Sequence, residues 1–216
     1  MAQIFSKYSN TLARLSIIAL AVLVISGIGL AYALQNSQYV TKQGIFVEQP
    51  VPFSHKHHGG DLKLDCRFCH SAVEDSAEAG MPTTEVCMGC HTQIWKNADV
   101  LKPIRDSYVQ NKPISWWRVH DLPDFVYFNH SIHVAKGMGC VSCHGRVEDM
   151  PLTTQIKPLT MEWCLECHNH PEAYVRPNEW VTSSEEWSGE ERARLAPKLI
   201  KDYHIQKRTD CYVCHR

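Results

Sequence analysis

Phe128-Asn129-His130-Ser131-Ile132-His133, followed by Cys140-Val141-Ser142-Cys143-His144, is the stretch from which the rest of the chain can be read. Two cysteines separated by two residues can form thioethers with both vinyl positions of one porphyrin. The next histidine then reaches the iron, so Cys-x-x-Cys-His is the attachment signature of c-type haem. The unit recurs as Cys66-Arg67-Phe68-Cys69-His70, Cys87-Met88-Gly89-Cys90-His91, Cys164-Leu165-Glu166-Cys167-His168 and Cys211-Tyr212-Val213-Cys214-His215, and the five copies use all 10 cysteines. Disulfides would not require a histidine after every second cysteine. Four-thiolate zinc sites take two such pairs each, which five pairs cannot supply, although Cys2His2 sites with the surplus histidines fit formally. A thioredoxin-like dithiol needs its own strand-helix context for each pair. The expected cofactors are five covalently bound haem c groups.

Working outward, the opening stretch is one of two copies. The first runs Phe53-Ser54-His55-Lys56-His57-His58, the Cys66 unit, Val73-Glu74-Asp75, then the Cys87 unit; the second runs Phe128 to His133, the Cys140 unit, Val147-Glu148-Asp149, then the Cys164 unit. Such self-similarity indicates duplication of a di-haem module. Each Phe-x-His-x-x-His supplies two histidines beside two haem sites, which is what bis-histidine ligation needs once the CxxCH histidine fills one face. His55 and His58 are expected to serve the first pair and His130 and His133 the second, with His57 competing in the first copy. Three residues apart on a helical turn, the two imidazoles can leave one face toward neighbouring haems.

The fifth unit has no second module. Ser188-Gly189-Glu190-Glu191 reads as a capping box opening a helix through Leu195, Leu199, Ile200 and Tyr203, which would deliver His204 close to Cys211. His204 is the expected sixth ligand, with His120 and His170 as competitors. Met81, Met138, Met150 and Met161 also lie near haem units; a thioether ligand would raise a potential, but packing against a porphyrin edge is the plainer reading.

Residues 15–34 carry no charge and are long enough, at about 1.5 Å per residue, to span a hydrocarbon core of about 30 Å. Lys7 and Arg14 precede the run, so the positive-inside tendency puts the N-terminus in the cytoplasm and everything after about residue 36 outside it. Ala31-Tyr32-Ala33 offers a signal-peptide cleavage site as the rival, and the length of the run favours a retained anchor. The net charge of −1 lacks the basic footprint of a nucleic-acid binder.

The organisation that follows is a cytoplasmic tip and transmembrane anchor (1–36), an extended stalk (37–52), di-haem module 1 (53–91), an aromatic and proline-rich connecting layer (92–127), di-haem module 2 (128–170) and a C-terminal segment with the fifth haem (171–216). No long strand is apparent. The expected fold class is a multihaem cytochrome c, mostly short helices and irregular loops around haems, plus one N-terminal transmembrane helix.

The anchor, Phe53 to His58, the run Met81-Pro82-Thr83-Thr84-Glu85-Val86-Cys87-Met88-Gly89-Cys90-His91, the run Arg118-Val119-His120-Asp121-Leu122-Pro123-Asp124-Phe125-Val126-Tyr127-Phe128-Asn129-His130 and the terminal haem unit together resemble the pentahaem cytochrome c subunit of alternative complex III, a bacterial quinol-oxidising membrane complex. The module itself is shared with the small tetrahaem c3 and trihaem c7 cytochromes. The resemblance implies a periplasmic subunit that takes electrons after menaquinol or ubiquinol is oxidised and passes them to a monohaem cytochrome or a terminal oxidase. It also implies partners: polytopic quinol-binding membrane subunits, an iron-sulfur and molybdopterin-like subunit, and another cytochrome c.

Three other classes compete. A multihaem reductase needs an iron with a vacant face, and the fifth haem is where one could sit; no acid-base pair for turnover is apparent and no catalytic residue is expected. A stand-alone membrane-tethered quinol dehydrogenase needs a haem at the lipid surface, whereas the first CxxCH lies well beyond residue 34. A scaffold with structural metals would be haem-free.

Overall fold

The computed structural model describes residues 4–185 and 187–216, and the chain divides into a unit ending at Lys42 and a unit from Gln43 to Arg216. The N-terminal expectations for residues 1–3 lie outside the described residues. The first unit is dominated by helix α1 (Ser9–Gln35, 27 residues), within which no residue is buried. The helix lies in a candidate span of mean hydropathy 2.5. At about 1.5 Å per residue it is about 40 Å long, enough to cross a bilayer. It ends where Asn36 Nδ2 and Ser37 Oγ donate to the terminal carbonyls of Tyr32 (3.0 Å) and Leu34 (2.6 Å). A single turn, α2 (Gln38–Thr41), follows.

The residues after Lys42, expected as stalk, are built into the second unit. Gly44 N–H donates to the Gln155 carbonyl at 2.8 Å, Phe46 forms an antiparallel bridge with Thr154, and Val51 is buried. The second unit is a succession of short helices: α3 (Cys66–Cys69), α4 (Thr84–His91), α5 (Lys102–Gln110), α6 (His130–Ala135), α7 (Cys140–His144), α8 (Met161–Asn169), α9 (Gly189–Asp202) and α10 (Cys211–Cys214), with a π-helical turn at Lys56–Asp61 and brief 3-10 turns between. Among the described residues the only β pairings are two isolated bridges, the second between Met138 and Val175.

Two small apolar clusters stand where one large core would be usual. Val51, Leu101 and Ile104 pack with Cys87, Met88, Ile114 and Trp116. From the connecting segment Leu101, Ile104, Ala98, Ile114 and Trp116 pack in this cluster. The segment also contains α5, a helix the prolines concealed: Pro103 falls in the first turn, where a missing N–H costs nothing. The second cluster, Val175, Ala196 and Leu199, gathers Met138, Leu195, Ile200 and Tyr203. Here α9 starts at the expected cap, with Ser188 Oγ accepting from Glu191 N–H at 3.1 Å. It stops at Asp202, and His204 follows in a left-handed conformation (φ 51°).

Candidate functional site

Each CxxC pair occupies one helical turn, in α3, α4, α7, α8 and α10, so its two thiols leave the same face. Two of these helices, α3 and α8, are opened by a side-chain cap. Asp65 Oδ1 accepts from Arg67 N–H at 2.8 Å ahead of α3, and Thr160 Oγ1 accepts from Trp163 N–H at 3.4 Å ahead of α8. Among the described residues no disulfide joins any of the ten cysteines, so each sulfur is available for a thioether.

The two copies of Phe-x-His-x-x-His are superimposable in their interactions. Ser54 Oγ accepts from His57 N–H (3.2 Å) and Asn129 Oδ1 from Ile132 N–H (3.3 Å), so the residue between Phe and His acts as an N-cap in both. Phe53 stacks on His58 with ring centroids 4.4 Å apart at 24°, and Phe128 on His133 at 4.4 Å and 27°. The same two phenylalanines meet His55 and His130 edge-on at 4.9 and 4.8 Å. Phe53 to Cys66 is one residue longer than Phe128 to Cys140. The extra residue lies after His58 and is absorbed by winding Lys56–Asp61 as a π turn, while the shorter copy stays α-helical.

The Nδ1–H groups are consistently committed. His58 donates to Ser54 O (2.9 Å) and His133 to Asn129 O (2.7 Å). His70 donates to Gly80 O (2.8 Å), His91 to Ile94 O (3.0 Å), His168 to Arg208 O (2.5 Å) and His215 to Phe125 O (3.0 Å). The leading histidines are held across the repeat: His55 Nδ1 bonds the Thr153 hydroxyl (2.7 Å) of the second half, and His130 Nδ1–H donates to Ala77 O (2.8 Å) of the first. An imidazole whose Nδ1–H is fixed on an acceptor presents a neutral, oriented Nε2, the form that binds metal.

The rings then fall into pairs. Two imidazoles on opposite sides of one metal, each bonded at about 2.0 Å, hold their centroids about 6.3 Å apart. His58 and His91 are 6.2 Å apart, His130 and His144 6.3 Å, and His133 and His168 6.2 Å. These residues fit an iron between each pair. Burial, followed by the nearby His120 and His130, pushes His144 down to about 3, and burial with His70 and His58 beside it pushes His55 down to about 4. Both rings are therefore neutral, as ligation requires.

The remaining candidates separate. His57 lies 3.7 Å from Asp61 and His170 3.5 Å from Glu172 at exposed positions, so both face carboxylates, not partner imidazoles. His120 packs on His144 with centroids 4.3 Å apart, too close to share an iron with it, and its Nε2 is buried without a hydrogen-bond partner. His204 is exposed, and the ring contact of His215 is with Phe125 at 5.8 Å; among the described residues no histidine pair at iron-bracketing spacing includes His204 or His215. Met138 packs in the second apolar cluster and Met81 and Met161 are exposed. Sequence reasoning did not single out Thr153 and Ala77, the acceptors across the repeat, because nothing local marks a tertiary acceptor. The caps Ser54 and Asn129 did carry a signal, a short polar residue ahead of a helical turn.

Residues 126–216 match the family model for cytochrome c7 and related cytochrome c, a stretch with three of the five CxxCH units. Over 98 residues the chain is 37% identical to the menaquinone reductase, multiheme cytochrome c subunit, of Nitratidesulfovibrio vulgaris strain Hildenborough, covering 45% of this chain and 46% of that protein. The match thus spans less than half the length of that relative. Motif, ring geometry and likeness converge: the chain contains a multihaem cytochrome c domain of short helices and loops, the kind of domain that binds haem c covalently.

Proposed function

We propose that the chain carries five c-type haems and is the periplasmic, membrane-anchored cytochrome subunit of a quinol-oxidising respiratory complex of the alternative complex III type. The observation that carries the reading is the set of three histidine pairs at 6.2–6.3 Å, each joining a CxxCH histidine to a histidine of the repeated motif. In this reading Cys66, Cys69, Cys87, Cys90, Cys140, Cys143, Cys164, Cys167, Cys211 and Cys214 anchor the haems. His70, His91, His144, His168 and His215 supply the first ligands. His58, His130 and His133 stand opposite His91, His144 and His168. His55 falls to the Cys66 unit, the CxxCH unit of the two modules that the three ring pairs leave without a second histidine. For the fifth unit the expected ligand His204 is exposed, and among the described residues the ring contact of His215 is with Phe125, so no second ligand is assigned to it.

Haem c bound at these positions supplies one-electron redox chemistry. The chain's own work is to orient imidazoles through their Nδ1–H groups, as at His58, His91, His130, His133 and His168, and to place two histidines about each iron of the three pairs so that small molecules find no open position there. Helix α1 serves as the anchor. The partners proposed are polytopic quinol-binding subunits, an iron-sulfur and molybdopterin-like subunit, and a further cytochrome c or terminal oxidase as acceptor. The relative is named for menaquinone reduction. A wire of six-coordinate irons conducts in either direction, and the potentials of its neighbours decide which.

The test is to purify the complex from its native membranes, count covalent haem on this subunit, and add menaquinol or ubiquinol under anaerobic conditions. Reduction of the subunit's haems by quinol, with five haems per chain, is expected. Fewer than five haems would remove the pentahaem assignment, and haems reduced only from a periplasmic donor would reverse the direction.

A further inference from the structure

Arg176 is buried, with 7% of its surface exposed. Among the described residues it is the buried side chain that carries a permanent positive charge, and no carboxylate is paired with it. A desolvated cation is ordinarily paired, because stripping its water is costly unless a counter-charge or hydrogen bonds replace it. Here the guanidinium leans on backbone dipoles: Nη1 donates to the carbonyls of Ser183 (2.9 Å) and Trp180 (3.3 Å). Its Nε is buried with no acceptor. The group lies directly on Gly139, where an added Cβ would come within 2.7 Å of Nε and 2.9 Å of Cζ. Gly139 is the residue before Cys140, and Cys140 N–H is held by Val181 O at 2.9 Å. The whole turn from 176 to 183 thus wraps the start of the third CxxCH unit and sets one fixed positive charge against it.

We propose that Arg176 is a potential-setting residue, its buried guanidinium, paired with no carboxylate side chain of the described residues, raising the reduction potential of the haem held by Cys140, Cys143 and His144. The inference rests on that haem being there. Oxidised iron carries one more positive charge than reduced iron. A fixed cation in a low-dielectric surround therefore disfavours the oxidised state and favours the reduced one. Arginine suits the task because it stays protonated when buried, where lysine titrates more readily.

The experiment is a spectroelectrochemical titration of the full chain in its membrane complex, comparing wild type with Arg176→Gln and Arg176→Lys, each variant first checked for covalent haem on the peptide containing Cys140 and Cys143. Arg176→Gln is expected to lower one midpoint by about a tenfold change in that haem's reduction equilibrium, about 59 mV for one electron, leaving the low-spin spectrum intact. Arg176→Lys, which keeps the charge, should hold that midpoint near the wild-type value. Gly139→Ala displaces the guanidinium without removing it and serves if the glutamine variant does not accumulate; the same midpoint should fall. Full haem content with unmoved midpoints overturns the tuning role and leaves the haem site standing. Equal shifts in Arg176→Gln and Arg176→Lys overturn it also, since anchoring of the 180–183 turn, not charge, would then be the cause. Absence of haem from the wild-type peptide overturns the haem assignment itself.

Discussion

His133→Ala is expected to leave haem attached at Cys164 and Cys167 and to convert that haem alone to high spin. The reasoning is geometric: His133 is paired at 6.2 Å with His168, and its Nδ1–H is already spent on Asn129 O, so its Nε2 is the group removed from the iron. With the proposed five haems per chain, about one fifth of the haem absorbance and electron paramagnetic resonance intensity should move from low-spin to high-spin features, and one haem should begin to bind carbon monoxide. The cost in stability is modest. The variant loses a buried hydrogen bond worth about 1 kcal/mol and a ring stack with Phe128 worth about 0.5–1.5 kcal/mol, while the thioethers remain. Added imidazole should restore the low-spin signal by entering the vacated space. Because His58 and His133 stand opposite different CxxCH histidines, the double variant His58→Ala/His133→Ala should convert two fifths. Low-spin content unchanged in His133→Ala, or conversion of two haems by it alone, would refute the pairing read from the rings.

Three further outcomes follow from named contacts. Thr153→Val removes the hydroxyl partner of His55 Nδ1 across the repeat; a less basic imidazole stabilises oxidised iron less, so one midpoint should rise by a few-fold change in its reduction equilibrium with the spectrum still low-spin, and a fall or no change in redox titration counts against the assignment of His55. Asp65 is held down at about 2, chiefly by the side-chain hydrogen bond from Arg67. A depressed carboxylate stabilises the fold fully above its ordinary value near 3.8 and loses that contribution as pH falls through about 2, so Asp65→Asn should cost about 1 kcal/mol or less at neutral pH, this pair being partly exposed. That difference from wild type should close between about pH 4 and pH 2 in denaturant titrations, and one that persists at the acid end would show a cause other than the ionised carboxylate. Gly137→Ala meets both a left-handed backbone (φ 72°) and an approach of 2.3 Å to Arg176 O; the backbone term alone costs about 1–2 kcal/mol, and thermal unfolding indistinguishable from wild type would show that the 137–176 contact is dispensable.

What could be read before the structure was whatever repeats or is local. The five CxxCH units stand on single helical turns because the haem-binding spacing is also the i, i+3 spacing of a turn. The duplicated Phe-x-His-x-x-His motif announces its own ligands because two copies agree where one would be ambiguous; the rival His57, present in only one copy, turns toward Asp61. Single-copy features gave no such leverage. His204 sits at the end of a correctly read helix, yet a left-handed residue after Asp202 leaves it exposed, and helical periodicity carries no information about the residue that leaves the helix. Pro103 hid α5 because a proline at a helix start and a proline that breaks one look alike until the cap is seen. Arg176 was invisible for a deeper reason. Nothing in its neighbours along the chain says that residue 176 will come to rest on Gly139, and a charge is only unusual once its burial is known. The cross-holding of His55 by Thr153 and of His130 by Ala77 is of the same kind. It means that neither module orients its own leading histidine: each is finished by the other, so the two copies are expected to fold and to acquire their full ligand sets together.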